Sequence, residues 1–316
     1  MATKRIIAVV GATGAQGGGL VRAILDDPDG GYTARAITRK AGSDKAMALA
    51  KAGAEVVEAD LDNAESLKRA FAGCYGAFCV TNFWEHFSPD KEQAQARNMA
   101  GAAREAKVQH VIWSTLEDTR RWVPLSDDRM PTLGGKWKVP HLDGKGEIDR
   151  VWKDLGVPTT LLLTSFYWEN FIHFGMGPKA GADGTLTLAM PMGDRKLSGI
   201  GAGDIGACAY GIFKAGSQYI GETVGIAGEH VAGAEMAAAL GKAMGQKVVY
   251  YPMEPAAYRA LGFPGSDDLG NMFQFYRDFN QDFMGARSVE MSRALNPKLQ
   301  SFDQWLGTHG AEIPVG

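Results

Sequence analysis

The first half of the chain alternates short apolar runs with segments of helical period. The run Arg5–Val10 has no polar residue after Arg5, as is typical of a strand buried on both faces. Similar runs follow at residues 33–38, 54–58, 75–81, 110–113 and 159–163. Helical patterns separate them at residues 17–25, 44–52, 64–71, 91–106 and 142–155. This alternation predicts right-handed βαβ units and a parallel sheet covered by helices on both faces.

The regular alternation of strand and helix patterns ends near residue 114. Residues 115–140 hold turn residues without a clear period, which indicates a functional loop or an insertion. Later elements are shorter: a strand at 185–190 and helices at 204–215, capped by Asp204, at 234–244 and at 267–280. We therefore predict an α/β fold, with a Rossmann-type doubly wound parallel sheet in residues 1–160 and a smaller mixed α/β C-terminal lobe in residues 161–316. One later strand and one helix are expected to return to the first domain.

A glycine-rich loop, Gly11-Ala12-Thr13-Gly14-Ala15-Gln16-Gly17, joins the first predicted strand to the first helix. Glycines allow a tight strand-to-helix turn and a close approach of the backbone to a pyrophosphate. The amides at the start of the helix then face the anion, and the helix dipole adds to the attraction. At the first βα turn of an alternating chain, this loop predicts a dinucleotide site.

The end of the second predicted strand indicates which dinucleotide binds. NAD-binding proteins usually carry an acidic residue there for the ribose 2′-hydroxyl, whereas a 2′-phosphate requires arginine. Here the strand ends in Arg39 and Lys40 without a carboxylate, and Lys45 follows. We therefore predict NADP(H), with the alternative that these cations only solvate a strand end. Asp60, after the third strand, is expected either beside the adenine or only at a helix start.

Composition argues against several classes of function. A net charge of −3 over 316 residues gives no support for binding to nucleic acid or to an anionic membrane surface. No uncharged apolar stretch approaches the ~20 residues of a membrane span. Three cysteines are too few for a disulfide framework, and we find neither a signal peptide nor histidines spaced for a metal site. We expect a cytoplasmic protein without a metal, and the subunit count stays open, a homodimer included.

Further motifs are more specific than the glycine loop. They are Thr81-Asn82-Phe83-Trp84-Glu85, His141-Leu142-Asp143-Gly144-Lys145-Gly146-Glu147, Tyr167-Trp168-Glu169-Asn170 and Leu261-Gly262-Phe263-Pro264-Gly265. In these motifs the chain resembles the NmrA-like family, an atypical branch of the short-chain dehydrogenases/reductases, and most of all its NADPH sensors. The resemblance covers nearly the whole chain. It implies a Rossmann domain, a preference for NADP(H), and a C-terminal lobe that closes a cleft over the nicotinamide.

The loop, the strand end and the matching motifs together indicate the cofactor-binding residues. These are Gly11, Thr13, Gly14, Ala15, Gln16, Gly17, Arg39, Lys40, Lys45, Asp60, Thr81, Asn82, Phe83, Lys145, Phe166, Tyr167 and Asn170. Reductases of the wider superfamily use a Tyr-x-x-x-Lys pair on one helix face. Here Lys145 is retained and His141 replaces the tyrosine. The resemblance implies that Lys145 anchors the ribose and nicotinamide, unless it is a solvated helix lysine; His141 is either a general acid or a hydrogen-bonded structural histidine.

Four further residues are predicted to line a substrate pocket. Ser114 and Thr115 end the fifth predicted strand, where the superfamily places a substrate-orienting hydroxyl, although such hydroxyls also cap loops. Trp84 and Trp168 follow two strand ends at one edge of the sheet, where ligand crevices form. An aromatic pocket there would suit a flat aromatic acceptor, or would only shield the nicotinamide from water.

Three functions stay open on the sequence alone. An intact cofactor site without the catalytic tyrosine favours a redox-state sensor, in which NADP(H) alters a surface seen by a regulatory protein partner or a second subunit. The alternative is an NADPH-dependent reductase of quinones or related conjugated aromatic substrates, whose electrophilic centre depends less on a dedicated acid. The third is a scaffold with a relic nucleotide site, which predicts no affinity for either nicotinamide cofactor.

Overall fold

The computed structural model of the protein describes residues 3–315 of the chain. Its strands, in chain order, are β1 Arg5–Val10, β2 Tyr32–Thr38, β3 Glu55–Glu58, β4 Gly76–Cys79, β5 His110–Thr115, β6 Thr159–Leu163, β7 Phe166–Tyr167, β8 Lys179–Ala180, β9 Leu186–Ala189, β10 Lys196–Ile200, β11 Thr223–Gly225, β12 Glu229–Ala232 and β13 Val248–Tyr251. Its helices are α1 Ala15–Leu25, α2 Asp44–Lys51, α3 Ala64–Phe71, α4 Pro89–Glu105, α5 Pro140–Ile148, α6 Arg150–Asp154, α7 Asn170–His173, α8 Ala202–Lys214, α9 Gly233–Met244, α10 Pro255–Arg259, α11 Ser266–Asp278, α12 Asn280–Gly285, α13 Val289–Leu295 and α14 Phe302–His309.

Within these residues, seven strands form a central sheet in the order β11-β6-β5-β4-β1-β2-β3. Every neighbouring pair in it is parallel. The chain runs outward from β1 to β3, then crosses back to β4 and runs outward in the other direction. Ligands of open α/β sheets bind outside the carboxyl ends of the strands at such a reversal. The predicted α/β fold with a Rossmann-type doubly wound sheet is confirmed.

The first strand shows why helices cover both faces of this sheet. Ile7 and Val9 pack in a core cluster with α1 and α8, whereas Ala8 and Val10 pack on the opposite face with α3 and α4. Side chains alternate between the two faces of a strand, so a strand covered on both faces needs an uninterrupted apolar run. One strand and one helix of this layered unit come from late in the chain: β11 pairs with β6 at the edge of the sheet, and α8 packs on one of its faces.

The second half of the chain also builds a separate mixed lobe. Its strands form two three-stranded sheets, ordered β12-β10-β7 and β13-β9-β8, each with one parallel and one antiparallel pair. Leucine and valine side chains from these strands and aromatic and methionine side chains from α9, α11 and α14 belong to a single core cluster, which Val123, Met130, Val139 and Leu142 join from the first half of the chain. This core is distinct from the two that cover the central sheet, and α11 faces the carboxyl ends of the central strands.

Two predictions about helices are wrong. The helix predicted at residues 142–155 is interrupted at Asp149, whose partly buried carboxylate binds side chains of β5 rather than facing solvent. Asp204 does not cap α8, which begins two residues earlier. Its carboxylate instead accepts a hydrogen bond from Asn296 Nδ2 at 2.8 Å, which ties the C-terminal segment to this helix.

Candidate functional site at the carboxyl edge of the sheet

A cleft of about 900 Å³ opens at the carboxyl ends of the central strands. Its opposite wall comes from the C-terminal lobe, through Met176, Leu269, Met272 and Tyr276. The structure brings most of the predicted site residues together here: Gly11, Thr13, Gly14, Ala15, Gln16, Gly17, Arg39, Lys40, Asp60, Thr81, Asn82, Phe83, Trp84, Ser114, Thr115, His141, Lys145, Phe166, Tyr167 and Asn170. Two predicted residues, Lys45 and Trp168, lie elsewhere.

The glycine loop forms the floor of the cleft below the start of α1. Gly11 adopts a left-handed φ of 65°, a conformation that favours glycine. A Cβ at Gly17 would lie 2.4 Å from the carbonyl oxygen of Gly11, so only glycine fits at this crossing. No side chain caps α1 at Gly14, which leaves the first amides of the helix for an anion. The loop has the backbone cradle that a pyrophosphate needs.

Charged side chains surround the end of the cleft formed by β2 and β3, which we call the charged end. Arg39 forms an ion pair with Glu85, and their side chains are 60% and 45% exposed. Lys40 lies on the same rim, and within the described part of the chain it makes no ion pair. Asp60 lines this end as well, and Asp62 pairs with Lys91 at 3.2 Å.

The structure does not place Lys45 with the residues of the charged end. Lys45 is exposed on α2, outside the cleft. Ser43 caps this helix, because its hydroxyl accepts a hydrogen bond from the Ala46 amide, and Ser43 itself lines the cleft. Because the chain enters a helix at this point, the side chain two residues later turns away from the loop.

Lys145 reaches the cleft from α5 with a counter-charge already beside it. Its Nζ forms an ion pair with Glu92 and donates a hydrogen bond to Thr81 Oγ1 at 2.7 Å. The Thr81 hydroxyl in turn donates to Glu92 Oε1 at 2.7 Å, and Glu92 is fully buried. An ammonium group has three protons, so one remains for a ligand in the cleft. No sequence pattern distinguishes Glu92, because acidic residues in a first helical turn are usually solvated.

His141, four residues earlier on α5, is held by a carboxylate of the C-terminal lobe. Its Nδ1 lies 2.5 Å from Asp268 Oδ1, and its backbone amide donates to Asp268 Oδ2 at 3.2 Å. A carboxylate accepts hydrogen bonds, so the proton of the neutral ring stays on Nδ1 and Nε2 is left free. Among residues 3–315 no group binds Nε2, and His141 lines the cleft. Asp268 was missed, although it lies three residues after the Leu261–Gly265 motif.

Aromatic side chains enclose the ring of His141. Trp84 lies with its ring centroid 4.9 Å from that of His141, and Phe83 lies at 5.9 Å. Phe174, which the sequence analysis did not identify, contacts Trp84 at 6.1 Å and lines the same part of the cleft. We call this part, with His141 and Asp268, the aromatic end.

The prediction that Trp168 lines the substrate pocket is wrong. Trp168 is only 1% exposed and packs in the core of the C-terminal lobe, with its ring 5.3 Å from Phe302 and 6.0 Å from Trp305. The chain leaves β7 just before this residue, so its side chain points into the lobe. Phe166 and Tyr167, which precede it, remain at the cleft.

Polar side chains between the two ends bind one another. Ser114 Oγ donates to Gln16 Oε1 at 2.8 Å, and Gln16 Nε2 donates to the hydroxyl of Tyr167. Burial raises the pKa of Tyr167 to about 12, so its phenol stays neutral at physiological pH. Ser165 also lines the cleft, and its buried hydroxyl has no hydrogen-bond partner within the described residues. This middle part of the cleft therefore contains the hydrogen-bonded side chains of Ser114, Gln16 and Tyr167 and, beside them, the hydroxyl of Ser165, which is unpaired among residues 3–315.

Thr115 also lines the cleft, but its hydroxyl is engaged behind it. Thr115 Oγ1 donates to Asp149 Oδ1 at 2.6 Å, and Trp113 Nε1 donates to the same oxygen at 2.8 Å. Burial raises the pKa of Asp149 to about 7. The carboxyl behind the cleft therefore titrates near neutral pH.

The described part of the chain shows neither a metal-binding cluster nor a helix suited to span a membrane. Within residues 3–315, no group of three or more His, Cys, Asp or Glu side chains is arranged to hold a metal ion. In the same residues, no helix combines the length and the apolar character that a bilayer span requires.

Comparison with known proteins agrees with this fold. A sequence profile of the NmrA-like family matches residues 3–306. The NmrA-like family domain-containing oxidoreductase FrzB of a Cladobotryum species is 31% identical, over 85% of this chain and 83% of its own length.

Solved structures superpose over nearly the full length of the chain. NmrA, a negative transcriptional regulator crystallised in complex with NADP, matches with a TM-score of 0.78 and 23% identity, over 97% of this chain and 95% of its own. The NADPH-dependent quinone oxidoreductase QOR2 of Escherichia coli, solved with NADPH, matches with a TM-score of 0.71 and 21% identity, over 95% of this chain and 98% of its own. With a family profile that spans almost every residue and a shared fold, the chain belongs to the NmrA-like family.

Proposed function

We propose that this protein is an NADP(H)-dependent oxidoreductase that reduces a flat conjugated acceptor, with His141 as the proton donor. The observation that carries this proposal is the pair His141–Asp268 at the aromatic end of the cleft. Asp268 orients the ring at 2.5 Å through Nδ1, and Nε2 is available to a ligand. An imidazole oriented by a carboxylate beside an open cleft is the arrangement that general acid catalysis requires.

The rest of the cleft fits NADP(H). Gly11 and Gly17 provide the backbone cradle, and the uncapped start of α1 favours an anion. Arg39 and Lys40 provide cations at the strand end where a 2′-phosphate is recognised. NmrA was solved with NADP, and the E. coli quinone oxidoreductase with NADPH. When bound, the reduced cofactor would supply a hydride, and the protein would supply binding, orientation and the proton.

The proton balance assigns a role to each member of the pair. A quinone takes up one hydride and one proton to become a hydroquinone. The proton on Nε2 of the charged ring moves to the substrate oxygen, and the Nδ1 proton stays on the side of Asp268. Asp268 thus maintains one tautomer and stabilises the charged ring before transfer. Solvent returns the Nε2 proton after the product leaves.

The walls of the aromatic end support the proposed class of acceptor. Trp84 and Phe174 present ring faces or edges, and Leu269 and Met272 add apolar contacts from α11. Such surfaces favour a flat apolar ring over a sugar or an acidic substrate. His141 lies at this end, and Ser165 in the adjoining part of the cleft has a hydroxyl without a partner among the described residues, so an acceptor with one or two oxygens would find donors.

The test is a pair of measurements on one sample. Equilibrium titrations compare NADPH, NADP, NADH and NAD, and the same protein is then assayed for NADPH oxidation with a panel of quinones. We expect tighter binding of the phosphorylated cofactors and NADPH oxidation above the protein-free background. Cofactor binding without oxidation would reject the reductase. No affinity for any of the four would reject a cofactor function altogether and would favour a scaffold.

A redox-state sensor is the second candidate. His141 stands at the position of the superfamily's tyrosine, so α5 lacks the usual Tyr–Lys pair. The lysine of that pair, Lys145, forms an ion pair with Glu92. The structural relative NmrA is a negative transcriptional regulator solved with NADP. In a sensor, NADPH would change the oligomeric state, for example of a homodimer, or the affinity for a regulatory protein partner. Sedimentation with and without NADPH tests the change in oligomeric state, and identical profiles would count against that change.

A further inference from the structure

The turn Phe83–Glu85 connects the two ends of the cleft. This single 3-10 turn follows β4, and its three side chains have different surroundings. Phe83 is 4% exposed and anchors the turn, Trp84 lies against His141, and Glu85 forms the ion pair with Arg39. Consecutive residues of one tight turn move together, so a change at Glu85 is felt at Trp84.

Glu85 forms an ion pair with Arg39, the cation that would recognise a 2′-phosphate. Its carboxylate binds the Arg39 guanidinium on the cleft rim, where Lys40 is the neighbouring cation. The other carboxylates at this end, Asp60 and Asp62, form no ion pair with Arg39, and Asp60 Oδ1 accepts a hydrogen bond from the Asp62 amide at 2.9 Å. Asp62 is bound by Lys91 at 3.2 Å and by Gln95 Nε2 at 3.0 Å. Glu85 binds only the Nη1 group of Arg39, and a guanidinium has five N–H donors. A phosphate that binds the remaining donors would lie beside the Glu85 carboxylate, and the repulsion between the two anions favours opening of the pair.

Backbone hydrogen bonds make the turn a unit, because the amides of His86 and Phe87 both donate to the Phe83 carbonyl, at 3.1 and 2.7 Å. Phe87, which follows it, has a left-handed φ of 53°, which is strained for a residue with a side chain. Trp84 packs closely against Gly265, where a Cβ would lie 3.0 Å from Trp84 Cζ3. The Arg39–Glu85 ion pair joins the turn to the residue that follows β2, so loss of the pair removes that restraint at the charged end.

We propose that Glu85 is a specificity-determining residue, a competing anion that couples recognition of the 2′-phosphate to the position of Trp84 at the aromatic end. The proposal rests on the proposed binding of NADP(H). With NAD(H), the Arg39–Glu85 pair stays closed and Trp84 keeps its place against His141. With NADP(H), the pair opens and the turn shifts, so the wall of the aromatic end responds to the phosphate.

The first test measures dissociation constants for NADP and NAD in the wild type, in Glu85→Gln and in Glu65→Gln. Glu65 is a matched control, because it is an exposed glutamate paired with Lys68 outside the cleft. An exposed ion pair is a weak competitor, so Glu85→Gln should bind NADP roughly two- to fivefold more tightly and NAD unchanged. Glu65→Gln should leave both constants unchanged. An NADP-to-NAD ratio in Glu85→Gln that equals the wild-type ratio would overturn the proposal.

The second test follows Trp84 directly. Oxidised cofactors are used because they do not absorb tryptophan emission, and the spectrum of Trp84→Phe is subtracted to isolate one of the seven tryptophans. In the wild type, saturating NADP should change the Trp84 signal more than saturating NAD. In Glu85→Gln the two cofactors should give the same signal. Equal signals for both cofactors in the wild type would show that the phosphate is not coupled to the turn.

The two proposals fail in different ways. If neither cofactor binds the wild type, the proposed oxidoreductase fails and takes the coupling with it. If both cofactors bind and Glu85→Gln behaves like Glu65→Gln, only the role of Glu85 is rejected.

Discussion

At the charged end of the cleft, Arg39 and Glu85 form an ion pair with side chains 60% and 45% exposed, whereas at the aromatic end His141 and Asp268 are only 8% and 6% exposed. The buried pair Lys145–Glu92 lies close to the aromatic end, and the Glu92 side chain is fully buried. An exposed pair contributes ~0–1 kcal/mol, while removing one partner of a buried pair costs ~3–5 kcal/mol. Pairs at the charged end therefore exchange partners at little cost, and pairs near the aromatic end persist.

This difference suits the two tasks of the cleft. Recognition of a phosphate requires a cation that changes partners when the ligand arrives. Proton transfer requires a ring whose orientation does not change, and the short contact between His141 and Asp268 provides it. Substitutions at the two ends should therefore differ in size and in kind.

The largest effect is expected for Glu92→Gln. The change leaves Lys145 without a counter-charge, and we expect the free energy of unfolding to fall by about 3 kcal/mol, the lower part of the range because Lys145 retains some contact with solvent. Denaturant unfolding at neutral pH measures it. Glu65→Gln, on the exposed surface, should change stability by less than ~0.5 kcal/mol. A similar small change for Glu92→Gln would contradict a persistent buried pair.

His141→Gln should affect turnover rather than binding. Loss of a general acid lowers kcat/KM by roughly 100-fold or more, whereas the dissociation constant for NADP should stay within about twofold. Steady-state kinetics with a quinone that the wild type reduces, together with an equilibrium titration, separates the two. His309→Gln is a control, since His309 pairs with Glu312 away from the cleft. Full activity in His141→Gln would show that water supplies the proton.

Asp149→Asn should change how stability depends on pH. Burial raises the pKa of Asp149 to about 7, from the ordinary value of 3.8 in the unfolded chain. Below pH 3.8 both states are protonated, and the variant and wild type should differ little. As pH rises towards 7, the unfolded wild type ionises first, so its stability falls and that of the variant does not.

At pH 8 the variant should be more stable than the wild type by about 2 kcal/mol, a value reduced for the partial exposure of the group. Thermal or denaturant unfolding checks it, with measurements from below pH ~3.8 to above pH ~7. Asp194→Asn, with a side chain 96% exposed, should give parallel curves. A constant difference between Asp149→Asn and the wild type would show that Asp149 is ionised throughout.

The smallest effect is expected at the charged end. Lys40→Ala removes a rim cation, and we expect binding of NADP to weaken by roughly two- to fivefold with no change for NAD. The difference should shrink at high salt, because exposed charges are screened. Lys45→Ala is the matched control, as Lys45 lies outside the cleft on α2. Equal weakening in both variants would indicate a general electrostatic effect instead of a binding site.

Features that depend on neighbouring residues could be predicted closely. The amphipathic segment at 64–71 is α3 with the same bounds, and the run Arg5–Val10 is β1. The glycine loop could be located because its chemistry needs consecutive residues between a strand and a helix. Arg39 and Lys40 follow from the same reasoning, because a strand end places them on the rim.

Side-chain direction after a strand or at a helix start was harder to predict. Trp168 belongs to a recognisable motif, but it leaves β7 towards the core of the C-terminal lobe. Lys45 shares the charge of Arg39 and Lys40, but it has already entered α2. In both cases the spacing in the chain is right for the cleft and the direction of the side chain is not.

The sequence by itself determined the parallel sheet, the phosphate loop and the replacement of a tyrosine by His141, because each depends on local pattern or on residue identity. Only the tertiary structure decided what these residues do together. Asp268 lies 127 residues from its partner His141, Glu92 lies 53 residues from Lys145, and Glu85 lies 46 residues from Arg39. No local pattern in the sequence indicates these partners, because the contacts form where helices and turns from different parts of the chain meet above the strands. The sequence therefore indicates a cofactor cleft, and the fold supplies the carboxylates that orient, neutralise or compete within it.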